Sequence, residues 1–296
     1  MAITAKDVAE LRRQTGCGMM DCKNALVEAD GDFDKAIKVL REKGVAASAK
    51  KAERIAAEGL VDVMTIGQLT AMVEVNSETD FVAKNETFRE FVRGILKTII
   101  ANRPADVAAL LACKFDGEDR TVEALLQEKT FTIGEKLSLR RFLLVDGVVY
   151  TYVHGVGATG GIIKFVTDDA TAKKAEFTEM AKNVALQVAA MPCLYLDKES
   201  VPASALEEEK EILLKQMEQD PKMANKPAKV LEGIVNGKLG KFYQTNCLLE
   251  QDYVKDDSMT VGKYVASVAK TLGAEIKVVP YYRYDKGEGI QKREDN

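Results

Sequence analysis

Residues 59–76 read GLVDVMTIGQLTAMVEVN. Both halves are rich in β-branched and apolar residues, and Gly67 between them permits a tight turn. The pattern therefore predicts two strands joined as a hairpin. A helix is expected next, from about residue 85 to 101, because apolar residues recur there at helical spacing. These apolar residues are Phe88, Val92, Ile95 and Ile99.

Further strands are expected beyond two short helical segments at about 105–113 and 119–129. A long helix over about 169–190 follows them. Runs of strands that alternate with runs of helices favour an α+β fold over a parallel α/β sheet. The strand-like runs are LSLRRFLLV (137–145), GVVYTYVH (147–154) and GIIKFVT (161–167).

The first 44 residues contain the signals of three short helices. Thr4 and Asp7 are spaced as a capping box for the first helix, and a second is expected after Asp21. Asp32 is placed to cap a third helix, which the pattern ends at Gly44. The next stretch, VAASAKKAERIA at 45–56, lacks a large apolar face and predicts a helical or extended linker.

A charged helical segment occupies about 202–240. Asp220-Pro221 interrupts it, so two helices joined by a turn are expected, which is an αα-hairpin. The pattern leaves open whether this hairpin projects as an arm or packs flat. A last helix near 262–271 and a strand, AEIKVVPYYRY at 274–284, precede a charged tail.

The composition excludes several classes of protein. With 42 Lys plus Arg against 46 Asp plus Glu, the net charge is −4, which excludes a strongly basic protein held to nucleic acid by charge alone. One His and five scattered Cys without a CxxC pair predict no metal site and no disulfide framework. No stretch approaches the roughly 18 apolar residues of a membrane helix, and the N-terminus does not resemble a secretory signal. We expect a soluble, cytoplasmic protein without membrane or direct nucleic-acid partners.

The segment 155–160, GVGATG, matches G-x-G-x-x-G, the dinucleotide-binding fingerprint. In that motif the third glycine opens a helix, whereas here GIIKFV reads as a strand, so we interpret the segment as a hairpin loop. His154 precedes it, and no nucleophile or orienting partner is identifiable, which favours a structural or contact role over general-base catalysis. Among the acids, only Glu74 and Asp80 have surroundings that could raise a pKa.

The run NSETDFVAKN at 76–85 connects a strand to a helix, where binding residues concentrate. Phe81 lies outside the strand alternation, so it is either a core side chain or a wedge presented to a partner, and the residues alone favour the core. In the turn GCGMM at 16–20, the two methionines are likewise either core side chains or contacts presented to a partner. Spacing alone places Met19 and Met20 in the core of the three-helix bundle.

Two long motifs give the chain a close resemblance to the bacterial elongation factor Ts family, the nucleotide exchange factors of elongation factor Tu. They are LRRQTGCGMMDCKNAL at 11–26 and EVNSETDFVAKN at 74–85, joined more loosely by IGEKLSLRRF at 133–142 and the HG at 154–155. The resemblance extends over about residues 3–290 in the same order. It is weakest in the middle helical segment and in the strand before the tail.

The resemblance implies a three-helix N-terminal module of the ubiquitin-associated (UBA-like) type, a core of two α+β subdomains with antiparallel sheets and flanking helices, and a helical-hairpin insertion. We place the boundaries at 1–44 for the module, 45–56 for the linker, 57–140 for the N subdomain, 141–201 with 241–290 for the C subdomain, 202–240 for the insertion and 291–296 for the tail.

The resemblance also implies a function and the residues that perform it. The chain would bind elongation factor Tu, dislodge Mg²⁺ and promote GDP release, by protein binding without covalent chemistry and without a cofactor of its own. The loop that would displace Mg²⁺ is Thr79, Asp80, Phe81 and Val82. The module would contact the GTPase through Arg12, Met19 and Met20, which reverses the core interpretation of the methionines. Further contacts would come from Asn76, Ile133, Gly134 and His154.

Two departures from the family pattern bear on these expectations. Cys17 stands where a small residue such as alanine is common. Many relatives continue beyond the part that matches GEGIQKREDN into a C-terminal helical module, and the resemblance implies that its contact with the GTPase is absent here.

Two other functions stay open at this point. One is a nucleotide-dependent oxidoreductase that uses the glycines of 155–160, which requires a helix after Gly160. The other is a scaffold whose N-terminal module alone binds partners, which gives residues 76–85 no role. The sequence also leaves open whether the chain forms a homodimer.

Overall fold

The structure of the protein, a computed structural model, describes residues 3–220 and 226–291. These residues form two compact units. The first contains 3–146, 153–160 and 284–291, and the second contains 147–152, 161–220 and 226–283. Pro221, at the predicted break between two helices, and residues 292–296 of the predicted tail lie outside the described residues.

The first unit begins with α1 (Ala5–Thr15), α2 (Met19–Glu28) and α3 (Phe33–Lys51). Thr4 and Asp7 form the predicted capping box, and Asp32 caps α3 as expected. The start of α2 lies two residues before Asp21, so the boundary predicted there is wrong. The buried core of these helices consists of Val8, Leu11, Cys17, Cys22, Ala25, Leu26, Ala29, Ala36 and Leu40.

The third helix does not end at Gly44, as predicted, but continues to Lys51. The reason is tertiary, because Gly44 packs against α7 (Val122–Ile133). A Cβ built on Gly44 would lie 3.6 Å from the Gln127 carbonyl oxygen and 3.8 Å from the Phe131 Cβ, so the glycine serves close helix approach. The predicted linker 45–56 is accordingly helical up to residue 51.

The first sheet contains β1 (Glu58–Ile66), β2 (Leu69–Ser77) and β3 (Ser138–Asp146), in the order β1-β2-β3. Both pairings are antiparallel, and the predicted hairpin is confirmed. The boundary predicted between residues 140 and 141 is wrong, because it cuts β3. Pairing across the sheet places Arg141 opposite Glu74 and so ties β3 to the first unit.

Helices cover this sheet and build the core of the first unit. They are α4 (Asp80–Lys84), α5 (Glu86–Asn102), α6 (Val107–Ala112) and α7. Asn85 caps α5 through a bond from the Thr87 N–H, at the position where the helix was predicted to begin. The apolar face of α5 packs on β1 and β2, with Phe88, Val92, Ile95 and Ile99 buried.

The glycine-rich segment 155–160 is a hairpin loop, and the chain continues from it as a strand, β5 (Thr159–Val166). This contradicts the geometry of a dinucleotide fingerprint. The glycines instead permit close backbone approach. The Val61 N–H donates to the Gly157 carbonyl (2.8 Å), and a Cβ on Gly157, whose φ is +73°, would lie 2.6 Å from the Leu60 Cβ.

Glu74 is a fully buried carboxylate in β2. Its Oε1 accepts hydrogen bonds from Arg140 Nη1 (3.0 Å), Asn76 Nδ2 (3.0 Å) and the Gly287 amide (2.8 Å). Its Oε2 accepts one from Arg141 Nε (2.6 Å). These four donors surround both oxygens, so the charge is compensated inside the fold.

Burial raises the pKa of Glu74, but the hydrogen bonds from these four donors outweigh it and hold the pKa below its ordinary value. The pKa of Asp80 is also lowered, because it accepts a hydrogen bond from Lys84. The expectation that the surroundings of these two acids could raise a pKa is therefore wrong for both.

The Glu74 cluster also holds residues 284–288, in the last described segment, on the first sheet. Arg141 Nη2 donates to Glu288 Oε2 (2.9 Å) and to the Asp285 carbonyl (3.2 Å), and its guanidinium lies 4.0 Å from the Tyr284 ring centroid. The predicted assignment of 284–290 to the C subdomain is wrong for this reason.

The second unit contains a sheet in the order β4-β5-β8, with β4 (Val148–His154) and β8 (Lys277–Asp285) flanking β5. Its helices are α8 (Asp169–Ala172), α9 (Ala175–Ala190), α10 (Ala203–Glu218), α11 (Ala228–Asn246) and α12 (Val261–Leu272). The core includes Phe165 and Phe177, whose rings meet edge to face with centroids 5.4 Å apart.

Three details of the second unit differ from the prediction. The helix expected over 169–190 is interrupted between α8 and α9, and α11 extends beyond residue 240. A short hairpin, β6 (Asp252–Tyr253) and β7 (Asp256–Thr260), was not predicted, because its residues are mostly polar.

The αα-hairpin of α10 and α11 packs through a thin cluster of Leu213, Met217, Val235 and Leu239. In the part of the chain described, no helix is both long and apolar enough to cross a bilayer.

We predict that Glu74→Gln lowers the free energy of unfolding by about 3–5 kcal/mol, because it breaks a buried ion pair from one side. Equilibrium urea unfolding measures this, with the exposed Glu123→Gln on α7 as the matched control, expected within about 0.5 kcal/mol of wild type.

The same variant has a pH signature. A lowered pKa contributes stability above the unfolded value, about 4.3 for Glu, and this contribution is lost as the pH falls through the folded pKa. The difference between wild type and Glu74→Gln should therefore shrink in acid. Equal losses in the Glu74 and Glu123 variants would contradict the role of this cluster.

Candidate functional site

Phe81 lies on a one-turn helix and points into solvent. Val82 and Ala83, which follow it on α4, are buried in the core of the first unit, whereas the Phe81 side chain is 77% exposed. One helical turn cannot direct all of these residues to the same side. The core interpretation of Phe81 is therefore wrong, and the ring is available to a partner.

Charged side chains flank the Phe81 ring. Asp80 and Lys84 form an ion pair with 2.6 Å between Oδ2 and Nζ, at i and i+4 on α4. The Lys84 ammonium also lies 5.6 Å from the Phe81 ring centroid. Both charged groups are about half exposed, so the pair adds little stability but orders the surroundings of the ring.

Thr79, at the N-cap position of α4, is bound to the loop after α7. Its N–H donates to Glu135 Oε2 (2.9 Å) and its hydroxyl to Glu135 Oε1 (2.6 Å). The Ser77 hydroxyl donates to the Thr79 carbonyl (2.8 Å). Gly134, at the C-cap of α7, has φ +87°, is exposed, and directly precedes Glu135, while Ile133 packs partly buried against the core.

Asn76 and Val82, two of the predicted contacts, are buried. The Asn76 side chain is 1% exposed and donates to the Glu58 carbonyl (3.0 Å) as well as to Glu74. Val82 is 5% exposed in the apolar core. Neither side chain reaches the surface, so each could act on a partner only through the turn that it supports.

Met19 and Met20 begin α2 and are 47% and 61% exposed. The interpretation of these methionines as core residues, drawn from spacing alone, is therefore wrong. Cys17 and Cys22 are buried instead, and these small thiols fill the space beside Leu11. The Cys17 thiol, the first of the two departures named above, therefore lies in the core of the three helices. Arg12 is exposed on α1.

His154 is exposed at the end of β4, and its carbonyl accepts the Ala158 N–H (3.0 Å), which closes the glycine-rich turn. In the described ranges 3–220 and 226–291, no group of three or more His, Cys, Asp or Glu side chains could hold a metal ion. The exposed candidate residues are apolar side chains beside charged ones, which suit binding to another protein.

The predicted residues thus fall into separate sets. The structure brings the Thr79 turn next to the segment that follows Gly134, through Glu135. Arg12, Met19 and Met20 lie on the three-helix module, and no hydrogen bond or ion pair between described residues joins them to the α4 turn.

The sequence reasoning missed Glu135 as a partner of this turn. Its only signal was a place inside IGEKLSLRRF, a stretch that contributes to the resemblance, since a contact that spans 56 residues leaves no local periodicity.

Comparison with known proteins identifies relatives along the whole chain. The family model described as Elongation factor TS matches residues 78–288. A protein named Elongation factor Ts from Syntrophotalea carbinolica is 44% identical over 300 residues, which cover 100% of this chain and 97% of the relative. Those of Clostridioides difficile and Clostridium kluyveri are 45% and 44% identical, each covering 99% of this chain and 96% of the relative.

We predict that Phe81→Ala changes the free energy of unfolding by no more than about 0.5 kcal/mol, because little of its ring is buried. Phe88→Ala, seven residues further along the chain and fully buried, is the matched comparison and should cost about 3–5 kcal/mol. Thermal and urea unfolding of both variants measure this, and a large loss in Phe81→Ala would mean that the ring is a core side chain after all.

Proposed function

The chain belongs to the elongation factor Ts family and is therefore a translation elongation factor, and on this premise we propose that it is the guanine nucleotide exchange factor of elongation factor Tu. It would bind the GDP-loaded GTPase, displace Mg²⁺ and so promote GDP release. The observation that carries the proposal is the exposed Phe81 ring on a turn that is anchored by the buried Val82 and Ala83.

A wedge of this kind acts through the geometry of the metal. Mg²⁺ requires nearly ideal octahedral coordination at about 2.1 Å, so a small shift of the elements that hold it removes ligands. An aromatic ring inserted between partner helices produces such a shift, because packed interiors move to discrete alternative arrangements rather than deforming smoothly. Once Mg²⁺ is lost, the phosphate charges are no longer compensated, and the affinity for GDP falls.

The α4 turn holds the Phe81 ring in a fixed position at the surface. Val82 and Ala83 anchor it in the core, so the force on Phe81 is transmitted to the sheet rather than absorbed by a loose loop. Asp80 carries a negative charge beside the ring, held by Lys84 in the free protein. Near a bound Mg²⁺ and its phosphates, this carboxylate would compete for the cation or repel the nucleotide.

The N-terminal module would supply a second contact. The exposed Met19 and Met20 are flexible, polarizable side chains that adapt to a partner surface. Arg12 would add a charged contact beside them, and Ile133, Gly134 and His154 would add contacts elsewhere. Two separated contacts raise the overall affinity because the second forms within an already bound complex.

Exchange by this route is a linkage effect. If the factor weakens nucleotide binding, it binds the nucleotide-free partner more tightly than the loaded one by the same ratio. The factor therefore acts by differential binding, without covalent chemistry and without a cofactor of its own. Its partner is a protein, so neither nucleic acid nor a membrane has a part in the proposal.

For the organisation of the chain, we propose a UBA-like module over 1–44 whose last helix continues to Lys51, followed by a core of two subdomains and the helical-hairpin insertion. The exposed faces of α1 and α2 and the exposed α4 turn support this division of roles.

We predict that the protein accelerates release of a fluorescent GDP from elongation factor Tu. The Phe81→Ala variant should lose roughly 30-fold of this acceleration, the scale of an aromatic contact worth about 2 kcal/mol. Stopped-flow fluorescence measures the rates, with Ile66→Ala, an exposed apolar residue at the tip of the first hairpin, as the control. An inactive wild-type protein would refute the proposed function.

A second prediction concerns the metal. If Phe81 acts by displacing Mg²⁺, chelation of Mg²⁺ with EDTA removes the step that the ring performs. The rates of wild type and Phe81→Ala should then converge to within about threefold, a difference of about 0.7 kcal/mol. A deficit of Phe81→Ala that persists in full without Mg²⁺ would mean that the ring acts on the nucleotide site by another route.

A further inference from the structure

We propose that Glu135 is a positioning residue, which holds the α4 turn in the conformation that presents Phe81. This inference rests on the proposed function, because the turn is the element that would act on the partner. Glu135 itself does not need to touch the partner. It acts through Thr79. Its contribution is to keep ordered a short helix that would be unstable on its own.

The α4 helix is only five residues long, and isolated helices of that length are unstable in water. Its N-cap residue, Thr79, has the extended backbone of a cap, with φ −124° and ψ 159°, yet its side chain makes no capping bond to the helix. The hydroxyl that would cap α4 is instead donated to Glu135. Something other than the usual cap must therefore fix where the helix begins.

The Glu135 carboxylate holds the N-cap residue from outside the helix. One oxygen accepts the Thr79 N–H and the other accepts the Thr79 hydroxyl, so a single carboxylate fixes both the backbone and the side chain of the residue. The bonds are charge-assisted, which makes them stronger than neutral ones. With Ser77 bound to the Thr79 carbonyl, the residue is held on both sides.

Glu135 can do this because its own loop is fixed. Gly134 caps α7 in the left-handed conformation at φ +87°, which an L side chain adopts only with strain. On the other side, the Lys136 N–H donates to Glu78 Oε1 (2.5 Å). Its ammonium donates to the carbonyls of Ala52 (2.6 Å) and Arg54 (2.8 Å), beyond the end of α3.

These bonds link the α4 turn to the end of the three-helix module through one short loop. Arg54 adds an ion pair to Glu78, 3.2 Å from Nη1 to Oε1. The loop after α7 therefore braces the turn that carries Phe81 and also contacts the segment that follows α3. Removal of the Glu135 carboxylate would release the turn without removing any side chain of the exposed surface.

The first arm of the test uses the free protein. Hydrogen exchange of Glu135→Ala should show faster exchange of the amides of 79–84, while the amides of α5 keep the protection of wild type. A merely structural loss would instead speed exchange across α5 as well. Unchanged protection of 79–84, or a uniform loss across both segments, would overturn the proposal.

The second arm measures release of fluorescent GDP from elongation factor Tu at increasing concentrations of the protein. For Glu135→Ala we expect the maximal rate to fall roughly tenfold, the scale of one hydrogen bond to a charged group. The half-saturating concentration should change by less than about twofold, because the module contacts are intact. Glu135→Gln should lie between wild type and Glu135→Ala, since its amide oxygen still accepts one bond.

Two matched comparisons sharpen this arm. Glu128→Ala, on α7 and paired with Arg120, removes a carboxylate of the same chain segment that does not bind Thr79, and it should leave the rates unchanged. In a Phe81→Ala background, Glu135→Ala should cause no further loss, because the ring that it positions is already gone. The same tenfold loss in that background would overturn the proposal. If wild type itself accelerates nothing, the proposed function fails, and the hydrogen-exchange arm still decides the role of Glu135.

Discussion

The buried carboxylate of Glu74 is the interaction on which the first unit depends. A charge removed from water must be fully paired, and here two arginines, an amide side chain and a backbone N–H supply the partners. These partners come from three parts of the chain, because Asn76 lies in β2 itself, Arg140 and Arg141 lie in β3, and Gly287 lies more than two hundred residues beyond β2. One carboxylate therefore joins the middle strand, its neighbour and the last described segment.

The end of β2 connects the Glu74 cluster to the α4 turn at the surface. Asn76 binds Glu74 and the Glu58 carbonyl, so the strand is rigid up to the point where the chain turns into α4. Beyond it, Ser77 and Glu135 hold Thr79, while Val82 and Ala83 are buried. The exposed Phe81 ring thus stands on a rigid base. An exposed aromatic side chain contributes little to folding, so its position on this rigid turn is consistent with the proposed role in binding.

Local chemistry made much of this fold predictable from the sequence. Thr4 and Asp32 cap their helices and Asn85 caps α5, because capping depends on residues within one turn. The first hairpin follows from strand propensity and a glycine turn. The pairing of β3 with β2 was not predictable, because it joins residues that are far apart in the sequence, such as Glu74 and Arg141, 67 positions apart. The predicted end of α3 at Gly44 was wrong for the same reason, since Gly44 packs against α7, a helix distant in the sequence.

The candidate site divides in a similar way. Residue patterns predicted that 76–85 is a binding segment, but they placed Phe81, Met19 and Met20 in the core, whereas all three are exposed. Periodicity shows which positions share a face, and it does not show whether a partner or the core covers that face. The resemblance to relatives corrected all three. The partnership of Thr79 with Glu135 was missed by both approaches, because it is a single long-range contact.

On the proposed function, this chain and guanine nucleotide oppose each other's binding to elongation factor Tu. Isothermal titration calorimetry tests this directly, by measuring the affinity of the chain for nucleotide-free and for GDP-loaded elongation factor Tu. We expect much tighter binding to the nucleotide-free form, by the same factor by which the chain weakens GDP binding. Equal affinity for the two forms would contradict it, because a ligand that binds both states equally cannot shift the equilibrium between them.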